Sequence, residues 1–354
     1  QAEKPVIVSG GGIKHSKAGP QLLKLAESLR IPVATSLNGK DTFLANHPLS
    51  AGVVGTYSRG SANRVVSEAD LICFIGSKTG GMTTHFWQVP PIGSNAIQID
   101  IDPEAIGRNY TLKAAVQGDA RSALEVMISL MDPSTATLRD RWNQQVKEFV
   151  DSWYAEYDHL LKSDATPIRP ERLCNDLTRL LPDDSLVVVD TGHAGMWMGG
   201  MFDVTSTSQN YVRSAGHLGW AFPAGLGAKC ALPERPVVCF TGDAGFWYHI
   251  AEIETAVRWN INSITLVNNN SAGNQSKTGF DKAYGGTQTE QAKEIWNFTK
   301  VNFANIANEI GALGIRVEKP SDFNSALDQA LSANQPVIID VVTDVDAIAP
   351  IAVT

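Results

Sequence analysis

Short apolar runs alternate with segments of helical spacing twice along the chain. In the first stretch, "PVIVSG" (5–10), "PVATS" (32–36), "LICFIG" (71–76) and "AIQIDID" (96–102) predict strands. Their near-continuous Val and Ile content fits parallel strands covered on both faces. Between them, "KAGPQLLKLAESLR" (17–30) and "GSANRVVSEAD" (60–70) repeat apolar residues at helical intervals. The stretch from 134 to 167 is polar, lacks glycine and predicts one long helix with a loop, read as a linker. The helix "RPERLCNDLTRLL" then leads into the strand "SLVVVD" (185–190), followed by strands "RPVVCFTG" (235–242), "SITLVN" (263–268), "GIRVE" (314–318) and "QPVIIDVVT" (335–343). Helical patterns fill the gaps: "AFPAGLGAKCAL", "IAEIETAVRW", "VNFANIANEIGALG" and "DFNSALDQALS". The expected fold class is α/β, with two doubly wound parallel-sheet domains, the first with a six-stranded-type sheet. The expected boundaries are 1–133, a linker over 134–167, and 168–354.

Composition narrows the function classes. A length of 354 residues suits two cores, and 43% hydrophobic with 19% charged residues is ordinary for a globular protein. The net charge of −8, without a basic run, gives nucleic acid no electrostatic footprint. No apolar stretch is long enough to cross a bilayer, so no membrane partner is expected. "QAEKPVIVSGGG" has no apolar signal-peptide region. Cys73, Cys174, Cys230 and Cys239 form no metal-ligand spacing. They read as unpaired thiols in a reducing, cytoplasmic setting.

Candidate chemistry collects at the strand ends of the second domain, where open α/β sheets bind ligands. "TGHAGMWM" (191–198), "DAGF" (243–246) and "NNNSAGNQ" (268–275) mix small with polar residues, so backbone N–H groups can approach an anion. Asp243 beside a phosphate repels it unless a cation lies between. Magnesium is such a cation, held by hard oxygens from one carboxylate, carbonyls, water and substrate phosphate. Asp243, the side-chain oxygen of Asn270 and a carbonyl just beyond form a suitable set. The bland alternative is a helix-capping Asp and a polar Asn turn.

"GDA" followed by the asparagines resembles the thiamine diphosphate fingerprint, Gly-Asp-Gly through Asn-Asn, with Ala244 in place of the last glycine. The chain is similar over its whole length to the acetolactate synthase-like branch of thiamine diphosphate enzymes, as middle plus diphosphate-binding domains. The resemblance implies a magnesium- and thiamine diphosphate-dependent C–C lyase or carboligase acting on 2-keto acids. It leaves open a 2-hydroxyacyl-CoA lyase, a 2-keto acid or oxalyl-CoA-type decarboxylase, and a non-catalytic cofactor-binding regulatory subunit. It implies magnesium on Asp243, Asn270 and the Ala272 carbonyl. Gly192, His193, Ala194, Ala244 and Gly245 surround the phosphates, and Gly273 lies beside them. In "SAGHLGWAFPAGLGA" (214–228), Gly216 meets the aminopyrimidine and Leu218 wedges the cofactor into its bent, reactive shape. His217 is the candidate for substrate contact.

The resemblance also implies a glutamate from a pyrimidine-binding domain, which the family places before the middle domain. The chain starts at "KPVIVSGGG", so the expectation is half an active site. It is then either one subunit of a split enzyme or a fragment of a longer one. The expected partner is a separate pyrimidine-domain chain in a heterotetramer. It would cover an apolar mouth at "GHAGMWMGGMF" (192–202). In the middle domain FAD, or the ADP moiety of coenzyme A, is the family's occupant. "SGGGIKHSKAG" is not a dinucleotide fingerprint. "GSKTGGMTTHFW" (76–87) lacks the arginine of flavin-binding members, leaving Lys78 in its place. An empty middle domain is the leading expectation there.

Overall fold

The computed structural model describes residues 2–214 and 216–349. They form two compact units: residues up to Asp158 with Asp203–Thr207, and His159–Phe202 with Ser208–Ala349. Each is built on a six-stranded sheet with every strand parallel to its neighbours.

The first sheet contains β1 (Pro5–Ser9), β2 (Val33–Thr35), β3 (Ser50–Val53), β4 (Leu71–Ile75), β5 (Ala96–Asp100) and β6 (Leu112–Gln117). Its order is β3-β2-β1-β4-β5-β6. Both faces are covered, as the apolar runs require. Val6, Val8, Ile72 and Phe74 face one core, while Ile7, Ile75 and Ile99 face the other with Leu22 and Leu25. The long helix is Asp140–Leu161, and it is no free linker. Trp142, Val146 and Phe149 recur at helical spacing and join the core around Phe74. The Trp142 indole N–H donates to the Pro5 carbonyl at 2.9 Å. Arg59 is buried in this unit between the Trp153 ring, 4.2 Å away, and Asp203, whose carboxylate it meets at 2.7 Å.

In this sheet the chain reverses direction between β1 and β4, where a doubly wound sheet opens its ligand crevice. There the loops after β1 and β4 meet backbone to backbone. The Gly12 N–H donates to the Gly76 carbonyl at 3.0 Å, and a Cβ on Gly10 would stand 2.1 Å from the same oxygen. Lys78 is paired with Asp102 at 2.7 Å.

The second sheet contains β7 (Leu186–Val189), β8 (Asn210–Arg213), β9 (Val237–Gly242), β10 (Ile264–Asn269), β11 (Leu313–Val317) and β12 (Val337–Val342). Its order is β11-β12-β10-β9-β7-β8. Val188, Cys239, Val267 and Ile338 face a core that holds Phe222, Phe246 and Phe303. From β7 the chain crosses to β8 on one side, then returns to β9 on the other. The switch point therefore lies between β7 and β9, and the loops leaving these strands face a common crevice.

The stretch 192–202 corrects the expectation of an exposed apolar mouth. His193–Gly200 is a helix, and Met196, Trp197, Met198, Met201 and Phe202 are all buried. A helix apolar all round its circumference has no face to offer water. Among the described residues the cysteines form no disulfide, with Cys174 and Cys239 buried and Cys230 exposed. No described helix is long and apolar enough to cross a membrane.

Candidate functional site

A cavity of about 760 Å³ opens at the switch point of the second sheet. Strand ends supply its walls: Thr191–Ala194 after β7, Gly242–Gly245 after β9, and Asn268, Asn270 and Ala272–Ser276 at and after β10. Leu218, Trp247, Tyr248 and Ile295 stand at the rim, each substantially exposed. Of the residues singled out in the sequence, Gly192, His193, Ala194, Leu218, Asp243, Ala244, Gly245, Asn270, Ala272 and Gly273 all line this space. Gly216 and His217 do not. Both are exposed, and His217 Nδ1 lies 3.3 Å from the Ser214 hydroxyl.

Asp243 opens the short helix Asp243–Trp247 directly from β9. Its Oδ1 accepts from the Ala244 N–H at 2.7 Å, and its Oδ2 from the Ala272 N–H at 3.1 Å. That same Ala272 N–H is 3.1 Å from Asn270 Oδ1, so the two side-chain oxygens converge on one donor. The turn that allows this passes through Ser271, whose φ of 55° is left-handed and strained for a residue with a Cβ. Burial pushes the Asp243 carboxyl up to about 6, against the hydrogen bonds from Ala244, Ala272 and Ser271 that favour its ionised form. Among the described residues Asp243 has no ion-pair partner, and it is the sole carboxylate lining the cavity. No cluster of three or more His, Cys, Asp or Glu suited to a metal occurs among them either. One buried carboxylate lacking a counter-charge, beside a neutral amide oxygen, is a donor set for a hard cation that also keeps water and phosphate. The residues fit magnesium.

A second buried carboxylate, not singled out from the sequence, ties the loops together. Asp190 follows β7 and accepts from the Gly219 N–H at 3.0 Å to each oxygen, from the Thr241 hydroxyl at 2.9 Å and from the Thr191 N–H at 2.7 Å. Burial raises its pKa, and these bonds oppose the rise. The packing demands glycine around it. A Cβ on Gly245 would lie 2.8 Å from Asp190 Oδ2, and one on Gly219, at φ 87°, 2.8 Å from the Gly245 carbonyl. Thus the turn carrying Leu218 is clamped onto the Asp243 loop. A lone acidic residue closing "SLVVVD" was the only sequence signal for this clamp.

His193 is held at the cavity edge with Nδ1 enclosed and unpartnered, and burial pushes its imidazole down to about 4. It is neutral at ordinary pH. Leu218 leans toward the same loop, since a Cβ on Gly192 would lie 3.9 Å from Leu218 Cδ1 and 3.6 Å from Gln275 Oε1. The first turn of the helix His193–Gly200 leaves backbone N–H groups without intrahelical partners. The cavity therefore combines neutral donors, one carboxylate and an apolar rim.

Comparison with known proteins agrees with this geometry. Residues 1–127 match the thiamine pyrophosphate enzyme central domain, and residues 190–341 match the thiamine pyrophosphate enzyme C-terminal TPP binding domain. The chain is 31% identical over 358 residues to a probable acetolactate synthase large subunit of Methanococcus aeolicus, covering 97% of this chain and 58% of that protein. It is 30% identical over 353 residues to the acetolactate synthase isozyme 3 large subunit of Escherichia coli strain K12, covering 97% of this chain and 60% of that one. The chain thus spans less than two thirds of the length of these curated relatives. It belongs to the thiamine pyrophosphate enzyme family, of which it carries the central and C-terminal domains.

Proposed function

We propose that the cavity holds thiamine diphosphate through magnesium, and that the chain serves an acetolactate synthase-like carboligase acting on 2-keto acids. The observation that carries the reading is the convergence of Asp243 Oδ2 and Asn270 Oδ1 on one N–H, with the carboxylate buried and unpaired. Asp243, Asn270 and the Ala272 carbonyl hold the metal. His193, neutral and half-buried, directs an N–H at the diphosphate, together with backbone N–H groups from Ala194 and Gly245. Gly192 lets the loop approach, and Ala244 and Gly273 keep the walls small. Leu218 presses the bound cofactor into its bent form, and Gly216 offers its carbonyl to the aminopyrimidine. His217 reaches substrate from outside the cavity. When bound, the cofactor supplies a thiazolium electron sink for breaking and making the bond beside a 2-keto carbonyl.

Asp243 is already committed to the metal in this reading, and it is the only carboxylate lining the cavity among the described residues. The acid that activates the pyrimidine must then come from elsewhere. We assign it to a pyrimidine-binding domain that covers the exposed rim of Leu218, Trp247, Tyr248 and Ile295. That the relatives are longer, and carry the name large subunit, supports an assembly larger than these residues.

Calorimetric titration of thiamine diphosphate, with and without magnesium, tests the first part. The expected result is metal-dependent binding that Asp243→Ala abolishes while the far-ultraviolet dichroism stays unchanged. Equal affinity in both proteins refutes the assignment. For the second part, the expected result is slow C2–H/D exchange of cofactor on this chain alone, accelerated by adding a pyrimidine-domain chain. Fast exchange on the 354-residue chain alone refutes it.

A further inference from the structure

Ala272 supplies the N–H on which Asp243 and Asn270 converge, and its carbonyl is the one assigned to the metal. It follows the left-handed Ser271 and belongs to no helix or strand. Something else must fix its two peptide planes. After the helices Asn274–Ala283 and Glu290–Trp296 the chain returns to it.

There Ala272 and Asn297 form an isolated antiparallel bridge, whose hydrogen bonds fall on the flanking residues. The Gly273 N–H donates to the Trp296 carbonyl at 2.6 Å, and the Phe298 N–H to the Ser271 carbonyl at 2.8 Å. In such a pair the two central residues turn their own N–H and C=O away from each other. Peptide planarity gives the same answer, because the N–H and C=O of one trans peptide point in opposite directions. The Ser271 carbonyl faces the returning segment, so the Ala272 N–H faces away from it. That N–H meets Asp243 Oδ2 and Asn270 Oδ1, each at 3.1 Å. The Gly273 N–H also faces the segment, which turns the Ala272 carbonyl toward the side of those two oxygens. Among the described residues nothing donates to this carbonyl, and an acceptor without a donor suits a cation. The returning segment is itself anchored. Trp296 is buried, its indole N–H donates to Gln288 Oε1 at 2.9 Å, and the Lys277 ammonium lies 5.4 Å from its ring centre.

We propose that Trp296 and Phe298 are positioning residues for the metal, their main chain aiming the Ala272 carbonyl at the ion beside Asp243 and Asn270. They act through Gly273 and Ser271 rather than on the ion. This rests on the reading of the cavity as a magnesium–thiamine diphosphate site. It adds a segment to the metal's support that the Asp-to-Asn fingerprint does not contain.

The test is a calorimetric magnesium titration at saturating thiamine diphosphate, on Phe298→Pro and Phe298→Ala. Both lose the phenyl group, and only the first loses the N–H. Asn297, at φ −89° and ψ 124°, already has the extended form that precedes proline. The magnesium midpoint of Phe298→Pro is expected to lie about 10-fold or more above that of Phe298→Ala, as for lost outer-shell support of a metal ligand. Their thiamine diphosphate affinities without metal are expected to match. Equal magnesium midpoints overturn the proposal. So does a loss of cofactor affinity of equal size with and without metal, which would make the segment a general wall of the cavity. Hydrogen exchange on the unsubstituted, ligand-free protein decides independently, whether or not Phe298→Pro folds. The Gly273 and Phe298 amides are expected to be protected before any ligand arrives, and protection gained only with magnesium and cofactor overturns the proposal. Absence of metal-dependent binding in the unsubstituted protein refutes the cofactor reading itself, and the proposal falls with it.

Discussion

Asp243→Asn is expected to stabilise the ligand-free protein while removing its metal site. The Asp243 carboxyl is 4% exposed and burial lifts its pKa from 3.8 to about 6. Because the folded pKa lies above the unfolded one, the folded state holds a proton that the unfolded state has released between those values. Stability from this group is therefore complete below about pH 4 and is lost as pH rises through about 6. A shift of about two units corresponds to roughly 3 kcal/mol lost by neutral pH. Asparagine keeps the shape and an acceptor oxygen for the Ala244 N–H, the Ala272 N–H retains Asn270 Oδ1, and the amide never ionises, so it escapes that loss. The variant is expected to gain about 2–3 kcal/mol at pH 8 and almost nothing at pH 4, where both proteins are neutral at this position. Hydrogen exchange read by mass spectrometry on peptides covering β9 and β10 measures the opening free energy locally, and the difference between the two proteins cancels other titrating groups. A variant equal to or less stable than the parent at pH 8, or a difference independent of pH, would show that the buried charge is compensated by something other than a bound cation.

Other substitutions probe the rest of the site. Asp190→Ala leaves the Gly219 and Thr191 N–H groups without this acceptor, at about 1–3 kcal/mol each, while the Thr241 hydroxyl keeps the Gly242 carbonyl, so denaturant unfolding is expected to show a loss of about 2–4 kcal/mol after relief of the buried charge. Asp190→Asn should lose less than half of that. Leu218→Ala removes a side chain that is 41% exposed, so stability should change by less than about 0.5 kcal/mol. Its turnover in the assembled enzyme should fall about 10- to 100-fold with little change in cofactor affinity, because the anchoring contacts remain; unchanged turnover rules out the wedge. Asn269→Ala is expected to cost about 2 kcal/mol in unfolding experiments and also to weaken magnesium binding, since its carboxamide serves both the fold and the turn at Ser271.

What the sequence could reveal followed from how strongly each position is constrained by its surroundings. β1, β7, β9 and β10 are buried on both faces, so apolar residues, chiefly Val, Ile and Leu, dominate them without alternation. β6 and β8 lie at sheet edges, and β3, "SAGV", is made of small residues; such strands have no periodic signal to read. The segment 192–202 was misjudged because an apolar cluster reads alike whether it faces a partner or the interior, and only tertiary packing decides. Asp243 and Asn270 were legible as a pair because strand ends in parallel sheets are neighbours whatever the intervening sequence. Asp190 was not, because its role exists only where three loops meet.

Asparagine is a poor strand residue, so Asn268 and Asn269 at the end of β10 and Asn270 just past it require three reasons. Alternation divides them. Asn268 and Asn270 line the cavity, where the Asn270 oxygen stands beside Asp243. Asn269 faces the other way, toward Asp340, which is fully buried and is also held by the Arg316 guanidinium and the Phe303 N–H. Through Nδ2, Asn269 joins that charged cluster, and through Oδ1 it accepts from the Ser271 N–H at 3.2 Å and hydroxyl at 3.3 Å. The left-handed turn at Ser271 brings the Ala272 N–H between Asp243 and Asn270, and Asn269 braces that turn from the opposite face of the strand. A hydrophobic residue at the middle position would suit the strand better and leave the turn unsupported. The middle asparagine lets a strained loop hold its shape before any ligand arrives, so binding need not pay for ordering it.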